Sequence, residues 1–430
     1  MTDRSTFERL TEDFATKPVP DASVVSGYRI ALVVIGFAIT LPVLLTGSRI
    51  GLGLGFWQSV LAFVTGGLVL AAIGGTTAYI GAKARLSTYM LIQFPFGPVG
   101  AKFVNTLIAL TLFGWYAVTA GLFGEAAHNA MVELFGVGPG HAPLTVLGGL
   151  LMVATTMWGF KALDKLALVA VPLMAVFLAA LVGVSVQHTP WPDIVDHQGG
   201  ELGYGVATSL VIGSYIVGSI LLPDLSRYAR RGVDGMWAAF AALGIAFPCI
   251  FLVAMIPSVA VGEQNLVAIM MGLGMGVPAL AMIVFATWTT NANNLYSTSL
   301  TLATVFDGVR KWKITVAAGI AGTVLATVGV IEYFTTFLLF LGVAIPPVAG
   351  IFVVDYFVVR QQRYDPRTLS EAEPLNRLAF AAWAAASTIG SLTANNSFHL
   401  TGIPACDAIV CSMAFYFAGT KIRLRQDRPV

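Results

Sequence analysis

The stretch VVIGFAITLPVLLTG (residues 33–47) has an echo in LVIGSYIVGSILLPD (residues 210–224), and the pair points to two matched helix breaks. Both contain Val-Ile-Gly, at 34–36 and 211–213, and both carry further helix breakers: Gly36, Pro42 and Gly47 in the first, Gly213, Gly218 and Pro223 in the second. Apart from Asp224, which closes the second, each lies in a long run without charge, 30–48 and 202–223. In hydrocarbon an unwound backbone is tolerated only where it is covered by protein or faces a cavity or ligand. Transporters use matched breaks in two halves of the chain to build a substrate site at the bilayer midplane. Gly and Pro also serve close helix packing in membranes. The matched placement favours a broken pair, with Ser214 and Tyr215 at the second break.

Working outward, composition sets the class. Hydrophobic residues make up 57% of the 430 and charged residues 11%, against about a quarter charged in soluble domains. The formal net charge of +2 points to no acidic partner and no nucleic acid. A crossing helix needs roughly 20 apolar residues. Charge-free runs lie at 30–48, 50–82, 103–124, 134–160, 166–192, 202–223, 235–262, 264–306, 314–331, 333–354 and 378–406, with a last segment near 402–420 that tolerates Asp407. In the 264–306 run, Gly272 to Pro278 is expected to separate a short surface helix from one span. The chain therefore reads as an all-α polytopic membrane protein with twelve transmembrane helices.

Lys and Arg orient it. Alternate connections carry Lys83, Arg85 and Lys102; Lys161 and Lys165; Arg227, Arg230 and Arg231; Arg310, Lys311 and Lys313; Arg360, Arg363, Arg367 and Arg377. With the two termini these hold 23 of the 24 basic residues, and Arg49 alone falls on the other side. Both termini are thus expected in the cytoplasm. Span 1 starts inside and span 6 outside, so a five-span repeat relating them is inverted. The expected organisation is a cytoplasmic segment 1–29, a first five-helix repeat 30–192, a second 202–359, two additional helices within 377–422, and a tail 423–430. The first 29 residues lack the short apolar core of a signal peptide.

Span 8 contains WTTNANNLYSTSLT (288–301), in which unpaired amides and hydroxyls are costly in hydrocarbon. Interhelical hydrogen bonds account for several. Adjacent Thr289 and Thr290, with the carbonyl of Ala286 one turn earlier, supply three oxygens to a small hard cation, and two carbonyls from broken span 1 complete five. That set of oxygens is the candidate sodium shell. Span 3 contains LFGWYAVTAGLFG (112–124), where Gly114 lets Trp115 approach a neighbouring backbone. Trp115 and Tyr215 could sandwich a flat ring, since aromatic faces favour offset stacking. Spans 1, 3, 6 and 8 hold no charge near their centres, which argues for a neutral polar substrate and for sodium over proton coupling. The five histidines map to outer connections or span ends without metal-ligand or nucleophile spacing, so no enzyme is expected. The three cysteines read as small buried hydrophobes.

These strings resemble a known family. G-x10-TG in span 1, GW in span 3, GSYIVGSILLPDLSRYAR (213–230) in span 6 and WTTNANNLYSTSL (288–300) in span 8 are similar to the nucleobase:cation symporter-1 family, of purine/cytosine permease type, and within it to bacterial cytosine permeases. The resemblance implies the leucine-transporter-type five-plus-five inverted repeat with two C-terminal helices, in a plasma (inner) membrane. It implies import of a neutral nucleobase, cytosine or a related heterocycle, coupled to sodium by alternating access, with no cofactor beyond that ion. Carried over by motif, sodium falls on the carbonyls of Gly36, Ile39 and Ala286 and the hydroxyls of Thr289 and Thr290. The base falls between Trp115 and Tyr215, with polar contacts from Gly213, Ser214, Asn291 and Thr119. Three positions depart from the cytosine permeases: Tyr215 stands for Phe, Leu112 for Gln and Ala292 for Asp. They leave another pyrimidine, a purine, hydantoin or allantoin open as substrate. The alternative reading is a proton-coupled or uncoupled facilitator or channel for such a solute.

Overall fold

The computed structural model of the chain describes residues 18–426 apart from 21–23, 158–159, 201, 307–308, 371–372 and 399. Most of the N-terminal segment and the last four residues of the tail lie outside the described residues. The described residues are helical, with two isolated β-bridges and no named strand.

The first apolar run forms two helices, α1 (Gly27–Ala38) and α2 (Leu41–Leu54), bent by 66°. The break sits where Pro42 dictates. Proline has no N–H to offer the carbonyl four residues earlier, that of Ala38, and its ring crowds it. Ile39 and Thr40 leave helical geometry, and the Thr40 hydroxyl accepts the Val43 N–H at 3.3 Å to cap α2. The succeeding helices are α3 (Phe56–Ala84), α4 (Pro98–Phe135), α5 (His141–Met157), α6 (Phe160–His188), α7 (Tyr204–Leu221), α8 (Gly232–Val261), α9 (Gly276–Val305), α10 (Lys311–Thr327), α11 (Phe334–Val359), α12 (Arg377–Ala394) and α13 (Pro404–Gln426). The helix Leu266–Gly272 precedes α9, and Gly274 at φ 75° turns the chain between them, as the Gly272–Pro278 stretch led us to expect. Among the described residues seven helices are long and apolar enough to cross a membrane, eight with the bent pair, and α5 and residues 312–327 are shorter apolar helices. α9 is not among the seven, because its Thr and Asn residues lower its hydropathy.

The second expected break is absent. α7 runs unbroken from Tyr204 to Leu221, and neither Gly213 nor Gly218 takes a positive φ. Pro223 lies beyond its end and opens a separate turn, 223–226. Gly213 serves packing instead: a Cβ there would stand 2.3 Å from the Leu338 carbonyl oxygen of α11. Glycine was needed for an approach between helices, and no unwinding follows from it.

The helices pack as two groups. α2, α3, α7 and α8 contact one another, with α1 against α8; α4, α5, α9 and α10 form the second group. α6 lies against α8 and α9, and α11, α12 and α13 pack together on the α7 side. The end of α11 is fixed by a buried charge. Asp355 is 1% exposed. It accepts from the Tyr364 hydroxyl at 2.7 Å and the Tyr416 hydroxyl at 2.8 Å, and pairs with Arg360 at 3.2 Å. Removing one partner of a buried pair strands the other. We expect Asp355→Ala to cost about 3 kcal/mol, the low end for such pairs because Arg360 keeps some solvent access. A detergent-phase chemical melt checks this, and a loss below about 1 kcal/mol would contradict it.

Candidate functional site

The α1–α2 break creates acceptors. The Ile39 N–H still donates to the Ile35 oxygen at 3.2 Å. Among the described residues no backbone N–H donates to the carbonyls of Gly36 or Ile39. They are therefore the kind of freed carbonyls a helix terminus must satisfy from elsewhere. α9 packs against both α1 and α2 and so lies along the break.

On α9, Ala286 is fully buried and Thr289 is 2% exposed. The Thr289 hydroxyl donates to the Phe285 oxygen at 2.7 Å, with the Ala286 oxygen at 3.4 Å. Its proton is thus committed along the helix while its lone pairs stay free. Two oxygens at that separation can both touch one cation at about 2.4 Å, the scale of oxygen–cation contacts for a hard ion. The Thr290 hydroxyl is buried with no partner. Such an orphan costs stability unless something occupies its lone pairs. The residues present thus fit a small hard cation: uncharged oxygens, one of them unsatisfied, beside a helix break.

Trp115, on α4, is 8% exposed and meets two aromatics of α11 edge to face, Phe334 at 6.0 Å and Phe337 at 5.6 Å. Gly114 is what allows this, since a Cβ there would lie 2.9 Å from the Phe337 ring. Asn291 is fully buried; its amide donates to the Tyr116 carbonyl at 3.1 Å and to the Met152 sulfur at 3.3 Å, while its Oδ1 has no partner. The Thr119 hydroxyl, one turn beyond Trp115, is also buried and unpartnered. α4 and α9 pack extensively, and the Asn291 bond to the Tyr116 carbonyl brings Asn291 to the part of α4 that carries Trp115 and Thr119.

The remaining expected residues stand on α7. The Tyr215 hydroxyl donates to the Val34 carbonyl of α1 at 3.3 Å, and its ring tilts on Phe247 at 5.3 Å. The Ser214 hydroxyl donates to the Val211 carbonyl at 2.6 Å, and Gly213 faces α11. Tyr215 and Trp115 are not in ring contact with each other among the described residues. They lie on opposite helix groups, which α7 and α4 join only lightly. Sequence reasoning missed Phe334 and Phe337; their spacing of three at the head of α11 was the available signal.

A family model described as "Permease for cytosine/purines, uracil, thiamine, allantoin" matches residues 18–415. The cytosine permease of Escherichia coli strain K12 is 30% identical over 376 residues, 86% of this chain and 87% of that protein. The hydantoin permease of Microbacterium maritypicum is 25% identical over 415 residues, covering 88% and 83%. Among solved structures, MHP1, a nucleobase-cation-symport-1 family transporter in a closed conformation with bromovinylhydantoin bound, matches with a TM-score of 0.82 at 20% identity over 96% of each chain. A Na+-coupled sialic acid symporter shares the fold at a TM-score of 0.69 and 13% identity, covering 97% and 93%. This multi-pass helical chain is accordingly a transporter and not an enzyme, and it belongs to the nucleobase:cation symporter-1 family of permeases for cytosine/purines, uracil, thiamine and allantoin.

Proposed function

We propose that the chain is a secondary active symporter that imports a neutral nucleobase, cytosine or a related heterocycle, together with sodium by alternating access. The observation that carries this reading is the α1–α2 break lying against α9, whose Thr290 hydroxyl is buried without a partner. In it, sodium takes the carbonyls of Gly36, Ile39 and Ala286 and the hydroxyls of Thr289 and Thr290. The base stacks on Trp115, with Tyr215 closing from α7 and Gly213, Ser214, Asn291 and Thr119 offering polar contacts. Sodium bound at the break would hold α1 and α2 against α9 and so complete the base site between the two helix groups.

The same proposal takes the topology as twelve crossings: α1–α2, then α3 to α13. Ten form two inverted halves, 30–192 and 202–359, and α12 and α13 are added within 377–422. Both termini face the cytoplasm, and the membrane is the plasma (inner) membrane. The unbroken α7 supports a second reading, since it removes one of two expected breaks: a facilitator that moves the base without sodium. A thermal-shift panel of cytosine, uracil, hypoxanthine and hydantoin, each with sodium and with choline in its place, tests the first. A base that stabilises the protein only in sodium is the expected result. Equal stabilisation in choline would sink sodium coupling.

A further inference from the structure

Arg49 is the single basic residue that the charge partition leaves apart from the other 23. It sits in α2 within a run otherwise free of charge and is only partly exposed. A guanidinium in or at the end of a membrane segment needs compensation. Among the described residues it makes no ion pair, although Glu125 acts on it electrostatically. Beyond that charge, its direct contacts are to neutral groups on two other elements. Nε donates to the Gln264 side-chain oxygen at 3.2 Å, one Nη donates to the Thr335 hydroxyl at 3.1 Å, and the guanidinium stands 5.8 Å from the centre of the Phe334 ring. Phe334 is 1% exposed and meets Trp115 at 6.0 Å. Two of these contacts, to the Thr335 hydroxyl and the Phe334 ring, tie the first turn of α11 to α2, and that turn carries the ring beside Trp115.

We infer that Arg49 is a positioning residue for the transported base: it locks the first turn of α11 to α2 and thereby sets the aromatic wall, Phe334 on Trp115, against which the base stacks. The inference rests on the Trp115 site proposed above. The rigid fork matters as well as the charge, because an ammonium cannot make the same two directed bonds while lying over a ring. Gln264, just before the Leu266–Gly272 helix, joins that short helix to the same lock.

The test uses the purified full chain, with the base among cytosine, uracil, hypoxanthine and hydantoin that shifts the wild type most in sodium. Arg49→Gln should raise the Kd for that base at least tenfold, with sodium half-saturation in the absence of base within twofold of wild type. Arg49→Lys should fall between the two, and Thr335→Val should weaken the base about threefold. Base affinity of Arg49→Gln within twofold of wild type would overturn the inference. So would base and sodium weakened in equal measure, which marks a general loosening. Where Arg49→Gln does not fold, Arg49→Lys and Thr335→Val decide, and wild-type affinity in both overturns the inference. A wild type that binds none of the four probes overturns the Trp115 site and this inference with it; binding that is indifferent to Arg49 overturns the inference alone.

Discussion

Trp115→Ala should weaken base binding by about ten- to a hundredfold while sodium binding in the absence of base is kept. Stacking a base on an aromatic side chain contributes about 1–3 kcal/mol, and each 1.4 kcal/mol is a factor of ten. The same truncation removes the ring that Phe334 and Phe337 pack against, and large-to-small changes of this kind cost about 3–5 kcal/mol of stability. Loss of binding alone would therefore be ambiguous. Trp115→Phe separates the two effects, since it retains a stacking face and most of the packing; it should lose severalfold in affinity and little stability. Isothermal titration on both variants, beside a melt without ligand, reads the outcome. Affinity of Trp115→Ala within twofold of wild type removes the ring from the site.

Thr290→Val should raise the sodium concentration needed for half-maximal base binding by about ten- to a hundredfold. A hydrogen-bond-strength contact to a charged species contributes about 1.5–3 kcal/mol, and the substitution removes one of five proposed oxygens at nearly constant volume. Its effect on the sodium-free protein has the opposite sign. The Thr290 hydroxyl is buried and unpartnered, so exchanging it for a methyl relieves a desolvated polar group. The sodium-free variant should be as stable as wild type or more so. A purely structural hydroxyl predicts the reverse, reduced stability with unchanged sodium dependence. Thr289→Val is the contrasting control, because it also breaks the bond to the Phe285 oxygen and should lose stability in both conditions.

How much of this was legible in the sequence varies residue by residue. The α1–α2 break was readable because Pro42 denies a bond to the residue four before it and crowds that carbonyl, with Gly36 and Gly47 on either side; proline alone does not decide it, since Pro172 and Pro257 sit inside continuous helices. The break near Gly213 was not, because glycine serves two ends that look alike in a sequence, unwinding and close approach, and here the Leu338 carbonyl occupies the space a side chain would need. The α9 string told which oxygens are spare only in part. Periodicity cannot show that Asn291 spends its amide on the Tyr116 carbonyl or that Thr290 is left without a partner. Arg49 stood out by sign alone. Its partners, Gln264, Thr335 and Phe334, lie more than 200 residues away along the chain, and only tertiary packing reveals them. The family strings carried the rest, and the match over residues 18–415 bears that recognition out.

Sodium-coupled transport is tested most directly by base accumulation in sealed proteoliposomes. A tenfold inward sodium gradient supplies about 1.4 kcal/mol per ion, and an inside-negative potential of about 100 mV adds about 2.3 kcal/mol. With one sodium per neutral base, their sum would support accumulation of up to roughly 500-fold over the outside concentration. We predict labelled base rising well above equilibrium under these conditions, and falling to the outside concentration when sodium is equalised and the potential collapsed. Uptake that never exceeds the outside concentration, or accumulation that is indifferent to sodium, would contradict the account.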